Sequence, residues 1–340
     1  NTAYQLVAVR RRHPEWLNRA HRLLTMPDYL HFRLCGVMAN EWTNASSTQL
    51  LRAGGAGWDS DLIARLGLPP RLFAAPVRSG TVLGKVHADL GAPGVQVVAP
   101  ACHDTGSAVA AIPGDPAGAA FISCGTWSLM GAVVDHPALD EAARRADLSN
   151  ELAWDGRTRL LKNIAGLWVM QQCRAALAEA GQTLSYPELE RLAEAAGPQP
   201  ALDVDDPRFF APHSTKDPYL DRIAAWHRER GLAVPTGPGA LSRCVHEGLA
   251  RAYAACLSGL ERSTGRRLDR IHLMGGGSRD ALLCRLTADA CRRPVFAGPA
   301  EATALGNALV QLVGLGAFAA ADLPAVAAAS AAPVRYEPAV

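Results

Sequence analysis

The chain reads as an α/β protein of more than one domain, on three observations. Short apolar runs alternate with segments of helical periodicity along most of its length. The sequence Pro113-Gly114-Asp115-Pro116 is a strong break between two such regions and marks a domain boundary. With 340 residues, 49% of them apolar, there is enough material for a substantial core, and this length usually holds more than one domain.

From the amino terminus, residues 1–50 predict helix interrupted at Gly36, with Trp16, Leu17, Ala20, Leu23 and Leu24 at helical spacing. Residues 54–100 are rich in Gly and Pro and hold one short helix near Asp59–Leu66. Val95–Ala101 is a bounded apolar run, a buried strand, and Ser107–Ala111 read as helix. Beyond the break, Ala119–Ser123 and Ser128–Val134 predict a hairpin turning at Gly125-Thr126. Leu160–Asn163 ends another strand, and Gly166–Ala180 has helical spacing. Asp203–Pro218 is irregular, with Phe209 and Phe210 as expected anchors. Leu241–Leu260 is a long amphipathic helix. Ile271–Met274 is a short strand running into Gly275-Gly276-Gly277, then a helix from about Asp280 to Cys291. Val295-Phe296 and Ala302–Leu312 add a strand and a helix. Residues 321–340 read as a poorly anchored Ala-rich tail.

Composition excludes several classes. Charged residues are 19% and the net charge is +2, with arginines scattered, which argues against a nucleic-acid surface. No apolar run approaches a membrane span. The eight cysteines form no Cys-x-x-Cys pair, and Cys284 and Cys291 lie too far apart on one helix to bridge. They are expected as small buried hydrophobes in a reducing cytoplasm. Cys102 and Cys124 adjoin the polar motifs below, where buried packing outweighs a redox role. His13, His21 and His31 show no carboxylates in ligand register and read as surface or helix-packing residues, so no metal site is expected from the protein alone. The chain begins at Asn1 rather than Met and enters a helix at once, which predicts a fragment or a processed chain.

Three motifs carry chemistry. His103-Asp104-Thr105 follows a buried strand and precedes a helix, the place where α/β folds bind ligands. A carboxylate there can accept the proton of an attacking hydroxyl, while the plain alternative makes Asp104 an N-cap. Gly125-Thr126 between two strands presents backbone N–H groups and a hydroxyl, a concave donor set suited to phosphate, or else an ordinary hairpin turn. Gly275-Gly276-Gly277 before a helix allows close approach of a ligand, or else only relieves crowding. The glycines match neither Gly-x-Gly-x-x-Gly nor a P-loop with its lysine. Trp127 and Trp168 read as core packing.

In this order the motifs resemble the FGGY carbohydrate kinases, and within them the branch acting on L-rhamnulose. The resemblance rests on His103-Asp104-Thr105-Gly106-Ser107-Ala108-Val109 and Ser123-Cys124-Gly125-Thr126-Trp127-Ser128-Leu129-Met130-Gly131. It continues in Lys162-Asn163-Ile164 with Gly166-Leu167-Trp168, Asp206-Pro207-Arg208-Phe209 and Gly275-Gly276-Gly277. Ala288-Asp289-Ala290, Glu301-Ala302 and Leu305-Gly306-Asn307 extend it, and Met26-Pro27-Asp28-Tyr29-Leu30 and Trp42–Thr48 extend it upstream. It spans about residues 1–315. It implies two actin-like ATPase (ribonuclease H-like) domains around a cleft. Residues 1–113 would be the C-terminal part of the first, sugar-binding domain, and residues 114–320 the nucleotide-binding domain. It implies transfer of the ATP γ-phosphate to the C1 hydroxyl of L-rhamnulose. Asp104 would be the general base, with His103, Thr105 and Asn163 facing the sugar. Thr126, Gln171 and Gly276 would hold ATP, with Mg²⁺ bridging the phosphates near Asp104. The family's Asp-x-Gly-x-Ser/Thr phosphate segment is not found ahead of Trp58. The first domain therefore reads as incomplete, and the chain alone is expected to be inactive. Two alternatives stay open: another deoxy-ketose such as L-fuculose, or a non-catalytic sugar-binding fragment.

Overall fold

The computed structural model describes residues 1–55 and 57–339. Its first part is mainly helical. Helices α1 (Thr2–Arg12) and α2 (Pro14–Arg19) pack Ala3, Leu6 and Leu17 onto Leu50, Ile63, Leu68 and Leu72. The helical spacing of residues 16–24 ends early. The Arg71 guanidinium takes the carbonyls of Leu17, Asn18 and Ala20 and stops α2 at Arg19. Trp16 lies on the surface, stacked on His13 at 4.1 Å.

Helix α3 (Met26–Cys35) starts with Pro27 in its first turn and stops at Gly36, whose φ of +77° is the left-handed cap a glycine supplies without strain. Next come α4 (Trp42–Ser46), α5 (Ser60–Arg65, capped by Asp59) and the antiparallel pair β1 (Thr81–Lys85) and β2 (Gln96–Ala99). Helix α6 (Asp104–Ala110) leaves the end of that pair.

These pieces meet at Glu41, a fully buried carboxylate. Oε2 accepts the N–H groups of Thr43, Asn44 and Cys102 and the Thr43 hydroxyl, and Oε1 accepts the Ser79 hydroxyl at 2.5 Å. The N–H of His103 then donates to Thr43 Oγ1 at 3.1 Å. Burial pushes the Glu41 carboxyl above the usual range, against the opposing pull of the Ser79 and Thr43 hydrogen bonds.

The second part is built on one seven-stranded sheet. Its strands are β3 (Ala119–Cys124), β4 (Ser128–Val134), β5 (Ser149–Leu152), β6 (Thr158–Ile164), β7 (Arg270–Met274), β8 (Val295–Ala297) and β9 (Val334–Tyr336). Their order is β5-β6-β4-β3-β7-β8-β9. Strands β3 and β4 form the expected hairpin, and β7 lies parallel to β3. The inner order β6-β4-β3-β7-β8, with β4 antiparallel to its neighbours, is the strand arrangement of a ribonuclease H-like layer.

Alternation along β3 divides its two faces. Ala120, Ile122 and Cys124 enter the main core with α8 (Trp168–Glu179) and the 28-residue α11 (Gly237–Thr264). Phe121 points the other way, onto Ala108, Val109 and Ala302 from α6 and α13 (Ala302–Gly314). Helix α6 thus belongs in sequence to the first part but packs on the sheet of the second. Helices α7 (Glu141–Arg145), α9 (Tyr186–Ala196), α10 (Tyr219–Glu229) and α12 (Ala281–Cys291) complete the layers. Phe209 is fully buried, but Phe210 is exposed, so only one of the two expected anchors is in the core.

The carboxyl-terminal segment corrects the expectation of a loose tail. Helix α14 (Leu323–Ser330) buries Leu323 and Ala327 against Ala110, Leu309 and Val310, and β9 adds to the sheet edge beside β8. Alanine is the strongest helix former, so an Ala-rich segment folds readily into a helix that buries Leu323 and Ala327, one turn apart. Among the described residues, no helix is long and apolar enough to cross a membrane.

The Glu41 network makes a direct prediction. Glu41→Ala strands several buried donors and should lower unfolding stability by more than about 3 kcal/mol. Urea denaturation should show a lower midpoint at an unchanged slope, and a change under about 1 kcal/mol would remove the network from this role.

Candidate active site

The three motifs line one cleft of about 880 Å³. His103, Asp104 and Thr105 form one wall, and Gly125, Thr126, Gly275 and Gly276 form another, with Asn163 between them. Of the residues expected in the site, only Gln171 does not border this space. Its Nε2 donates to Thr126 Oγ1 at 3.3 Å, so it supports that wall from behind.

Asp104 is the first residue of α6, and the N-cap position falls to His103. The plain capping alternative is thereby only partly met. Oδ1 accepts the N–H of Thr105 at 2.6 Å, while the side chain as a whole is 77% exposed to the cleft. Its position is held from the second part, where Thr303 donates its hydroxyl to the Asp104 carbonyl at 3.2 Å. Gly306 of α13 lies so close to the Ser107 carbonyl that any Cβ would overlap it. The two helices therefore cross in near contact.

His103 stands between two carboxylates. Nδ1 is 3.2 Å from Asp104 Oδ1, and Nε2 is 3.7 Å from Glu151 Oε2. Glu151 in turn accepts a 3.0 Å bond from Arg159, whose side chain is wholly buried. Burial and the nearby Arg159 charge lower the His103 pKa, with Glu151 and Asp104 opposing. A smaller hollow of about 310 Å³ extends from here, lined by Gln5, Ser47, His103, Glu151 and Asn163. Gln5 and Glu151 carry no sequence signal of their own, while Ser47 lies in the Trp42–Thr48 segment of the resemblance without being singled out. Glu151 sits on β5, a strand too short and polar to read by alternation.

The Gly125-Thr126 turn is pinned by the start of α8, where Leu167 and Trp168 donate their N–H groups to the Gly125 and Thr126 carbonyls at 3.1 and 2.9 Å. The Thr126 side chain is left exposed. Trp127 corrects the expectation of core packing. It is 48% exposed, lines the cleft and leans on Phe210 with ring centroids 5.9 Å apart. Trp168 does pack as expected, donating its indole N–H to the Phe209 carbonyl at 3.0 Å.

The three glycines differ from one another. Gly275 has φ of +82°, and a Cβ there would come within 2.7 Å of the Cys124 carbonyl. At Gly277 a Cβ would overlap the Cys124 side chain. At Gly276 it would meet nothing within 4 Å, because this residue faces the open cleft. Crowding explains the outer two, although Gly275 also lines the cleft, and the middle one has open space where a side chain would stand.

Below the loop, Asp280 caps α12 through Oδ1, and its Oδ2 is 2.7 Å from Nε2 of the buried His246. His246 Nδ1 lies 2.7 Å from the Ser242 carbonyl. Burial alone would lower the His246 pKa. The bond and charge of Asp280 outweigh it, with help from Ser242 and Glu190, and the net direction is upward. Charged His246 therefore stabilises the fold fully below its unfolded value near 6.5, and the contribution disappears as pH rises through the raised native value. His246→Gln should remove a stability term of the order of 1 kcal/mol that the parent shows at pH 6 and loses in the alkaline range. Thermal melts from pH 5 to 9 check this; parallel curves for the two proteins would rule the pair out as a titrating clamp.

Comparison with known proteins gives a consistent picture. Residues 1–110 match the FGGY family of carbohydrate kinases, N-terminal domain, and residues 120–315 match the C-terminal domain of that family. A rhamnulokinase of Yersinia pestis (strain Pestoides F) is 41% identical over 324 residues, covering 94% of this chain and 64% of that protein. A rhamnulokinase of Halalkalibacterium halodurans is 38% identical over 320 residues, covering 93% and 67%. The chain thus spans about two thirds of the length of these relatives. Among solved structures, a gluconate kinase from Lactobacillus acidophilus superposes with a TM-score of 0.76 at 18% identity, covering 99% of this chain and 68% of that one. A xylulose kinase from Rhodospirillum rubrum gives 0.74 at 21%, covering 99% and 67%. These likenesses establish the fold, two actin-like domains around a cleft.

Proposed function

We propose that this chain, which belongs to the FGGY family of carbohydrate kinases, is the core of an enzyme that transfers the ATP γ-phosphoryl group to the C1 hydroxyl of L-rhamnulose. One observation carries the reading. The exposed Asp104 carboxylate, the polar hollow of Gln5, Ser47, Glu151 and Asn163, and the bare backbone at Gly276 all open into connected space. A hydroxyl-rich ligand fits the hollow, and a polyphosphate fits the glycine wall. The choice of L-rhamnulose rests on the rhamnulokinase relatives at 38–41% identity.

In this reading Asp104 accepts the C1 hydroxyl proton as that oxygen attacks phosphorus. Asp104 Oδ1 is already engaged by the Thr105 N–H, which leaves Oδ2 as the accepting atom. His103, Thr105 and Asn163 orient the sugar. Thr126, steadied by Gln171, and the backbone at Gly276 hold the nucleotide. Phosphoryl transfer asks mainly for alignment and charge stabilisation, so these positioning contacts carry most of the catalysis. Mg²⁺ would supply neutralisation of the phosphate charge, near Asp104.

With the full-length protein, kcat/KM over a panel of ketoses should be highest for L-rhamnulose, and a clear preference for L-fuculose would reassign the sugar. In the same assay Asp104→Asn should lose on the order of 10²–10⁴-fold in turnover while still binding sugar. Near-parent turnover would remove Asp104 as the base.

The differing glycines sharpen a second prediction. Gly276→Val meets no neighbouring atom, so its melting temperature should match the parent, while calorimetric titration should show weakened ATP binding and unchanged sugar binding. Equal losses for both ligands together with a lowered melting temperature would make Gly276 a structural residue.

A further inference from the structure

We infer that Asp28, His31 and Cys102 form a binding site for a divalent cation of the zinc class, next in the chain to the His103–Asp104 pair. One donor atom from each of the three side chains lies within 4.8 Å of the other two. Asp28 and His31 are three residues apart on α3, a spacing that sets both donors on one helix face. Cys102 comes to them from the segment after β2, against which α3 packs. The sequence reading of His31 as a packing residue looked for partners along the chain and so missed a ligand that arrives from 71 positions away.

Two further observations point to a cation. The first is charge. Asp28 and Glu41 are 1% and 0% exposed, and the hydrogen bonds they accept come from neutral donors. Asp28 receives the Thr25 hydroxyl, the Asn40 amide and the Glu41 N–H. Glu41 receives Ser79, Thr43, Asn44 and Cys102. Buried carboxylates are normally paired with a cation or bound to a metal, and the donors to Asp28 are all neutral groups. The second is an unused donor: His31 Nδ1 is buried with no hydrogen-bond partner. Asp28 Oδ1 accepts only one bond and keeps a lone pair for coordination.

The donor set selects the ion. One thiolate, one imidazole and one carboxylate suit zinc or cobalt(II), while magnesium and calcium prefer oxygen ligands. Three protein ligands leave a fourth tetrahedral position for water. Binding requires the Cys102 thiol to release its proton to solvent as the metal–sulfur bond forms, so affinity rises with pH. His31 and Cys102 are only half-buried, which gives the ion a way in.

Cobalt(II) alone is the probe, because its tetrahedral thiolate complexes absorb in the near ultraviolet and visible. Titration of the full-length protein with CoCl2 should give a saturable one-equivalent thiolate-to-cobalt band, bleached by one equivalent of ZnCl2. Cys102→Ser should lose the band, and Cys35→Ser, whose Sγ only donates to the His31 carbonyl, should keep it. His31→Gln should weaken binding by roughly tenfold or more with an unchanged far-ultraviolet dichroism spectrum. It decides the matter independently if Cys102→Ser does not fold. No band at stoichiometric cobalt, a band that survives in Cys102→Ser, or parent affinity in His31→Gln each overturns the assignment.

Discussion

A single buried carboxylate holds the first part of this protein in the shape its site needs. Glu41 caps α4, anchors the Ser79 loop and receives the N–H of Cys102. Through the Thr43 hydroxyl it also fixes the N–H of His103. Three chain segments far apart in sequence, residues 41–44, Ser79 and residues 102–103, are thus tied to one pair of oxygens. The strand end carrying His103 and Asp104 is held from this side through the N–H groups of Cys102 and His103. Burying the carboxylate is unfavourable, as the upward drift of its pKa records. The cost is offset because nearly every lone pair is used, the condition under which a buried charge specifies a structure rather than disrupts it.

The opposite wall depends on a different physical device, close packing of backbones. Gly306 lets α13 press against α6, and Thr303 reaches the Asp104 carbonyl from the same helix. Helix α6 is therefore clamped onto the second sheet while its first residue points into the cleft. This holds the exposed Asp104 carboxylate of the first part in register with the Gly125-Thr126 and Gly275–Gly277 turns of the second. The turns are rigid in their own right. Gly125-Thr126 is fastened to α8, and Gly275 and Gly277 are wedged against Cys124.

Much of this was legible in the sequence, and what was not had physical causes. The hairpin at Gly125-Thr126, the strands before Asp104 and Gly275, and the long helix around Leu249 announce themselves by apolar runs bounded by breakers, because each buries at least one full face. Strand β5 is short and polar and gives no alternation to read, whereas α9 and α10, which bury Leu189, Tyr219, Ile223 and Trp226, carry a readable amphipathic pattern that the sequence analysis passes over. Trp127 was misjudged because an aromatic between two strands is usually core, and here the turn presents it to the cleft. The glycine triplet could not be divided by sequence. Only the position of Cys124 separates the two glycines that avoid a clash from the one that faces open space. Glu41 and Glu151 were invisible for the same reason, since a buried carboxylate is defined by donors that arrive from elsewhere.

The charge state of His103 ties these strands together at the Asp104 wall of the cleft. A protonated imidazole 3.2 Å from Asp104 Oδ1 would hold that carboxylate in an ion pair. Burial and the Arg159 guanidinium both favour the neutral ring, and they prevail over the pull of Glu151 and Asp104. Arg159 can play this part only because it is wholly enclosed and fixed by Glu151 and the Leu152 carbonyl. Neutral His103 still has one N–H to give. If Nε2 carries it toward Glu151, Nδ1 is left as an acceptor on the Asp104 side. The buried arginine thus works at one remove: it favours the uncharged His103, and an uncharged ring forms no ion pair with Asp104.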